Sequence, residues 1–200
     1  MKILIILANP NTNSFCKAIA QTAAKSLKKN GCKVVLHDLY REKFPPVLTE
    51  SEDLSDSKPP LIIQKHCKDL TEADGIIIVH PNWWGGPPAI LKGWIDRVIR
   101  QGTAYKFVEK DRGEGVPVGL LKIKKAIVFN TSNTKPIREM KVFKDPLETI
   151  WKNCVFGLCG VNEFLRKNYG VIITSTAAQR KKWLKDVEKT VIKSLILSVL

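Results

Sequence analysis

Gly75-Ile76-Ile77-Ile78-Val79-His80-Pro81-Asn82-Trp83-Trp84-Gly85-Gly86-Pro87-Pro88-Ala89-Ile90-Leu91-Lys92-Gly93-Trp94-Ile95-Asp96-Arg97-Val98 reads as a strand, a loop and a helix in succession. The β-branched run at 76 to 79 has no polar alternation and is bounded by Asp74-Gly75 and Pro81, which predicts a strand covered on both faces. Pro87 and Pro88 open a helix whose apolar positions Ile90, Leu91, Trp94, Ile95 and Val98 recur at three- and four-residue steps. Between strand and helix stand two indole rings, two glycines and an amide. Such a loop is either a cover for the core or a ligand loop, in which flat side chains and a closely approaching backbone hold a planar molecule.

Upstream, residues 2 to 8 form an apolar run that breaks at Asn9-Pro10-Asn11-Thr12-Asn13-Ser14, and a helix follows with Phe15, Ile19, Ala23 and Leu27 on one face. The loop lacks the glycines of a Walker A or G-x-G-x-x-G motif. Its amide and hydroxyl donors beside a helix N-terminus suit a phosphate, although Asn13 or Ser14 can also serve as a plain N-cap. Gly31 stops this helix, Lys33 to His37 reads as the second strand, and residues 61 to 72 as a helix that leads into the central strand.

Downstream, Lys125 to Asn130 is the fourth strand, ending in the polar loop Thr131-Ser132-Asn133-Thr134. Asp145-Pro146 reads as an N-cap and first turn, opening a helix with Ile150, Trp151, Cys154, Val155 and Leu158 inward and Gly160 at its end. Trp151 at that spacing is a core or subunit contact. Tyr169 to Ile173 closes the fifth strand, and Thr176 with Gln179 forms a capping box for a last helix striped by Trp183, Val187, Val191 and Leu195. Strands alternate with helices throughout. The expected fold is therefore a three-layer, doubly wound α/β domain over residues 1–200, with a five-stranded parallel sheet in the order 2-1-3-4-5. In that order the loops at 9 to 16, 82 to 86 and 131 to 134 converge on one crevice.

Composition narrows the function classes. With 33 basic and 19 acidic residues the net charge is +14, which favours anionic partners, but the cations are scattered and no nucleic-acid module is visible. Five widely spaced cysteines without a C-x-x-C fit neither a disulfide framework nor a zinc site, and point to a reducing, cytoplasmic setting. His37, His66 and His80 show no ligand spacing, so no metal is expected. The apolar runs at 3 to 7 and 195 to 200 are too short to span a membrane.

The stretch from 80 to 98, continued through Gly102-Thr103-Ala104-Tyr105, resembles the flavodoxin-like NAD(P)H:quinone oxidoreductase family, as do Asp38-Leu39-Tyr40 and Phe44-x-Pro46. The resemblance implies a flavoprotein that takes hydride from NADPH or NADH onto FMN, or FAD, and passes two electrons to a quinone or similar small acceptor. It assigns cofactor contacts to Asn9, Asn11, Ser14, Phe15 and Cys16 at the phosphate side, and to Pro81, Asn82, Trp83, Trp84, Gly85, Thr131, Ser132, Asn133 and Thr134 around the ring. Tyr105, and secondarily Phe107, would wall the substrate pocket across a homodimer. Asn9-Pro10 stands for the family's histidine pair, Cys16 for an asparagine, and Asn133-Thr134 for two glycines; threonine resists the positive φ that glycine accepts. The tyrosine and histidine that follow this loop in the best-known members are missing between Lys135 and Lys144, so no catalytic side chain is carried over. The same family includes flavin- or nucleotide-binding ancillary subunits of potassium efflux systems, which is the alternative function.

Overall fold

The structure is a computed structural model that describes residues 1–53, 58–108, 115 and 117–197. Parts of the charged excursion before Gly119 and of the C-terminal apolar run, at 109–114, 116 and 198–200, lie outside the described residues. The elements run β1 (Lys2–Leu7), α1 (Phe15–Lys29), β2 (Lys33–Asp38), α2 (Glu50–Asp53), α3 (Leu61–Thr71), β3 (Gly75–Pro81), α4 (Ala89–Val98), β4 (Tyr105–Phe107), β5 (Pro117–Gly119), β6 (Lys125–Ser132), α5 (Pro136–Lys141), α6 (Pro146–Thr149), a π-helix (Ile150–Gly157), β7 (Glu163–Gly170) and α7 (Ala177–Leu195). Strands β2-β1-β3-β6-β7 form one parallel sheet, which is the expected 2-1-3-4-5 order. Strands β4 and β5 form a separate antiparallel hairpin that the sequence pattern did not reveal.

Side-chain alternation along the sheet divides the core in two. Ile3, Ile5, Leu7, Ile77, Val79, Ile127 and Phe129 pack under α1 and α7. Leu4, Ile6, Ile76, Ile78, Ala126 and Val128 pack on the other face with Leu70 of α3, Trp94 of α4 and Trp151 of the π-helix. All seven residues of β3 are buried, as its unbroken apolar run requires. Among the described residues no helix is long and apolar enough to cross a membrane.

Three local expectations need correction. Asp145 is not a side-chain cap: it sits at φ 49° and its carboxylate is taken by Arg166 of β7. The helix after it is α-helical for one turn only and then π-helical. The wider i→i+5 repeat stacks Trp151 on Phe156, with ring centroids 5.7 Å apart, and turns Cys154 and Leu158 outward. The fifth strand ends at Gly170 rather than reaching Ile173. It is an edge strand, paired on one side and only partly covered, so Arg166 and Lys167 are admitted and the apolar run that marks a central strand is absent.

The segment Phe44–Pro46 crosses α4 at Gly93, where an added Cβ would stand 2.1 Å from the Pro46 carbonyl oxygen. Alanine gains about 1 kcal/mol of helix propensity over glycine, but a clash with backbone forces a shift costing about 1–3 kcal/mol. Gly93→Ala should therefore lower the unfolding midpoint in denaturant; an unchanged or raised midpoint would show that the crossing segment moves freely.

Candidate functional site

The loops after β1, β3 and β6 open into one crevice of about 820 Å³. Its place follows from the strand order: β2 lies on one side of β1 and β3 on the other, so the connections after β1 and β3 part and leave a gap at the carboxyl edge.

Side chains that mimic backbone turns hold the first loop. Asn9 Oδ1 accepts from the Asn11 N–H at 2.9 Å, and Asn11 Oδ1 accepts from the Asn13 N–H at 2.8 Å. Ser14 caps α1, its hydroxyl accepting from the Lys17 N–H at 3.2 Å. Asn9, Asn11, Asn13, Ser14 and Phe15 line the crevice. Cys16 does not: it is buried behind the wall with its thiol 3.2 Å from the Thr131 hydroxyl, tying the first loop to β6, and burial pushes that thiol up.

Trp83 and Gly86 close a two-residue turn through bonds of 3.1 and 2.9 Å. Trp84 (φ 55°) and Gly85 (φ 74°) are both left-handed, the geometry that Asn-Gly adopts without strain and tryptophan does not. Asn82 Oδ1 accepts from the Gly85 N–H at 3.1 Å and stabilises the turn. The Trp84 ring is fully exposed, and among the described residues its backbone N–H makes no hydrogen bond.

Thr131 and Ser132 belong to β6 itself, and neither Asn133 nor Thr134 takes a positive φ. The chain turns instead on side chains: Ser132 Oγ accepts from the Thr134 N–H at 2.9 Å, and Asn133 Oδ1 accepts from the Ile173 N–H at 3.0 Å. Pro81, Asn82, Trp83, Trp84, Gly85, Thr131, Ser132, Asn133 and Thr134 all line the crevice. Tyr105 and Phe107 lie in the β4–β5 hairpin, edge to face at 5.6 Å, and do not line the crevice of their own chain.

Glu139, Phe143, Pro146, Ile172 and Arg180 complete the wall, and sequence reasoning missed them. Glu139, Phe143, Pro146 and Ile172 stand on short helices or irregular segments with no period to read, and Arg180 lies at the start of α7, on the polar side of its apolar stripe. The Arg180 guanidinium donates to Ser175 Oγ at 2.8 Å and to the Ile172 carbonyl at 3.2 Å, which fixes a cation at the rim.

Beneath the crevice lies His80. The Pro81 carbonyl can only accept, so Nδ1 carries the proton and donates to it at 2.8 Å. Nε2 then accepts from Trp151 Nε1 at 3.0 Å and from Asn130 Nδ2 at 2.8 Å. Arg166 donates to Asn130 Oδ1 at 3.1 Å and to Glu148 at 2.9 Å, and pairs with Asp145. Burial pushes the His80 imidazole down to about 4.

A family model described as having a flavodoxin-like fold matches residues 1–190. The chain belongs to this flavodoxin-like family. It is 39% identical over 178 residues to an uncharacterized NAD(P)H oxidoreductase of Haemophilus influenzae, covering 86% of this chain and 85% of that protein. It is 32% identical over 127 residues to rat NAD(P)H dehydrogenase [quinone] 1, spanning 53% of this chain but only 46% of that enzyme. A solved structure, Smu.1420 from Streptococcus mutans UA159, superposes with a TM-score of 0.82 at 30% identity, covering 96% of this chain and 98% of that one.

The flavodoxin-like scaffold also brings together two histidines that stand far apart in sequence. His37 and His66 stack at 3.9 Å, and with Glu42 they offer ligand atoms within 4.8 Å of one another. The tautomer opposes an ion there. Trp94 Nε1 donates to His66 Nδ1 at 3.0 Å, which leaves the proton on Nε2, the atom that faces Glu42 at 3.1 Å. A ligating histidine needs that nitrogen bare and its other N–H donated outward. The cluster is instead a hydrogen-bonded tie for residues 39–46. Burial alone would raise the Glu42 carboxyl, but hydrogen bonds from His37 and His66 outweigh it and hold the group at about 2.

Two expectations follow. Trp84 is strained without packing in return, so Trp84→Asn should raise stability by about 1 kcal/mol, or roughly 2–4 °C in Tm, while weakening whatever the indole covers. A lower Tm in a thermal melt would show that the ring packs and is not strained. The second concerns pH. Because His80 is held neutral when folded, the unfolded chain takes up its proton below about pH 6.5 and the folded one only near 4. Stability should fall over that window, by on the order of 3 kcal/mol in total, with a smaller part from His66, whose imidazole burial also lowers. Denaturant melts of His80→Gln should show a shallower fall; an identical slope would refute the assignment.

Proposed function

We propose that this protein is a flavin-dependent NAD(P)H oxidoreductase that passes hydride from NAD(P)H through bound FMN to a quinone or a related small acceptor. The observation that carries this reading is the single crevice formed by three loops, with a capped helix N-terminus at one part of its wall and a tryptophan turn at another. Its volume lies within the range of small-molecule sites. The donor set fits the group. The free N–H groups at the start of α1, with Ser14 and the asparagines beside them, suit a phosphate. The Trp84 N–H and the crevice-lining Asn82, Thr131 and Ser132 suit the polar edge of a flat ring system, and Trp83 its face. A bound flavin would supply the reversible two-electron chemistry. The chain's residues bind, orient and exclude water. Arg180 adds a positive rim for the phosphates of the nucleotide donor.

Several relatives support the reading by their names, among them the Haemophilus oxidoreductase, and a Bacillus anthracis azoreductase that shares the fold was solved with FMN. We also infer a homodimer. Tyr105 and Phe107 stand outside their own crevice, on a hairpin whose Phe107 and Val118 are exposed, where they are available to a second copy.

Purified protein mixed separately with FMN and FAD, then freed of unbound flavin, should retain FMN with an absorbance band near ~450 nm that NADPH or NADH bleaches and a quinone restores. Retained flavin without bleaching would favour the regulatory-subunit reading. No retained flavin would remove the oxidoreductase reading.

A further inference from the structure

We propose that Glu139 is the proton donor of the crevice, giving its proton to the acceptor as hydride arrives; the inference rests on the oxidoreductase reading above. Reduction of a quinone by NAD(P)H is NAD(P)H + H⁺ + quinone → NAD(P)⁺ + hydroquinone. The hydride carries both electrons and one proton, and the second O–H bond needs a proton from elsewhere. Among the described residues that line the crevice only Glu139 and Arg180 are ionisable, and an arginine does not release its proton in a protein. Within one chain, Glu139 is thus the lining group able to give and retake a proton.

Its setting suits that task. Glu139 is 5% exposed, yet forms no ion pair among the described residues. The Ser132 hydroxyl shares its one proton between the Thr134 carbonyl at 3.4 Å and Oε1 at 3.3 Å, while Oε2 has no hydrogen-bond partner among the described residues. One oxygen is therefore only weakly held and the other is left for a ligand. The charges around it are otherwise engaged or remote: Asp145 and Glu148 are held by Arg166, Lys135, Arg138 and Lys141 of its own helix segment are exposed, and Arg180 is tied to Ser175 and Ile172. The helix α5 that carries it starts at Pro136, directly after the loop 131–134, so the carboxyl is returned to the same wall as the ring-edge residues. In sequence it lies where the resemblance had left no donor.

The test compares acceptors. A quinone needs the proton, whereas ferricyanide takes one electron at a time and needs none, each NAD(P)H releasing H⁺ as two ferricyanides are reduced. In flavin-loaded Glu139→Gln the ratio of quinone to ferricyanide turnover should fall about 100-fold, the scale of general acid catalysis, and Glu139→Asp should recover part of it. The pH dependence of quinone kcat should also differ between the wild type and Glu139→Gln. An unchanged ratio, or equal loss with both acceptors while flavin stays bound, would overturn the proposal. Should Glu139→Gln fail to fold, Glu139→Asp carries the test: it keeps the carboxyl but withdraws it by one methylene, so the quinone-to-ferricyanide ratio should fall by a smaller factor, and an unchanged ratio overturns the proposal. Infrared difference spectroscopy of the flavin-loaded protein on reduction gives a readout apart from turnover: a carboxyl band that changes as the acceptor is reduced and is missing from the variant. If neither acceptor is reduced by the wild type, the oxidoreductase reading fails and the proposal falls with it, an outcome distinct from an unchanged ratio.

Discussion

A neutral imidazole buried under the crevice is the contact on which the site's shape depends. His80 bonds at once to its own strand end, to β6 through Asn130 and to the π-helix through Trp151. Each partner offers a group of fixed polarity, so the ring has one tautomer and one orientation that satisfy all three. Through Asn130 the network continues to Arg166, and from there to Asp145 and Glu148. Two parts of the crevice wall that meet at Gly85 and Pro146, the turn after β3 and the segment around Pro146, are thereby referred to a common point. The π-helix serves this geometry by placing the Trp151 N–H against His80 while keeping Phe156 stacked behind it.

Strain collects where these parts meet. Trp84, Lys144 and Asp145 are three of the four non-glycine residues with positive φ among the described residues. Pro146 closes on Gly85 so tightly that a Cβ there would lie 2.8 Å from the proline ring. Conformations of this kind persist where the surroundings over-determine them. Here the determinants are visible: Asn82 pins the turn from one side and Arg166 holds Asp145 from the other. The glycine at 85 is needed both for its backbone and for its lack of volume.

What the sequence reveals depends on how local the cause is. Strand β3 and helix α4 are legible because burial on two faces and a stripe at helical spacing leave periodic traces. The strand order and the three converging loops follow from alternation and from the polar breaks at strand ends, and the residue-level resemblance at 80–105 adds the family. The edge strand β7 is harder, since one unpaired side removes the apolar signature. The π-helix is invisible to a 3.6-residue period, which is why that period places Cys154 and Leu158 inward in place of Phe156 and Cys159. Glu139 and Arg180 leave no trace, because each reaches the crevice through tertiary packing of an element whose own pattern is ordinary. Likewise His37 and His66 show no ligand spacing, yet the fold stacks them.

The large positive charge takes on a specific meaning beside this geometry. Of the basic residues among the described ones, Arg180 alone lines the crevice. The excess therefore acts on anionic molecules as a field rather than as a set of contacts, raising their encounter rate in a manner that salt screens. The other polar groups of the crevice are neutral amides, hydroxyls and helix N–H groups, which can bind phosphate without taking up or releasing protons. A wall rich in lysine or histidine would hold nucleotides more firmly but would also scatter protonation sites across the pocket. With neutral donors for binding, the proton movement proposed above falls to one carboxyl, and that separation would let a site built mainly from asparagine, serine and threonine serve redox chemistry.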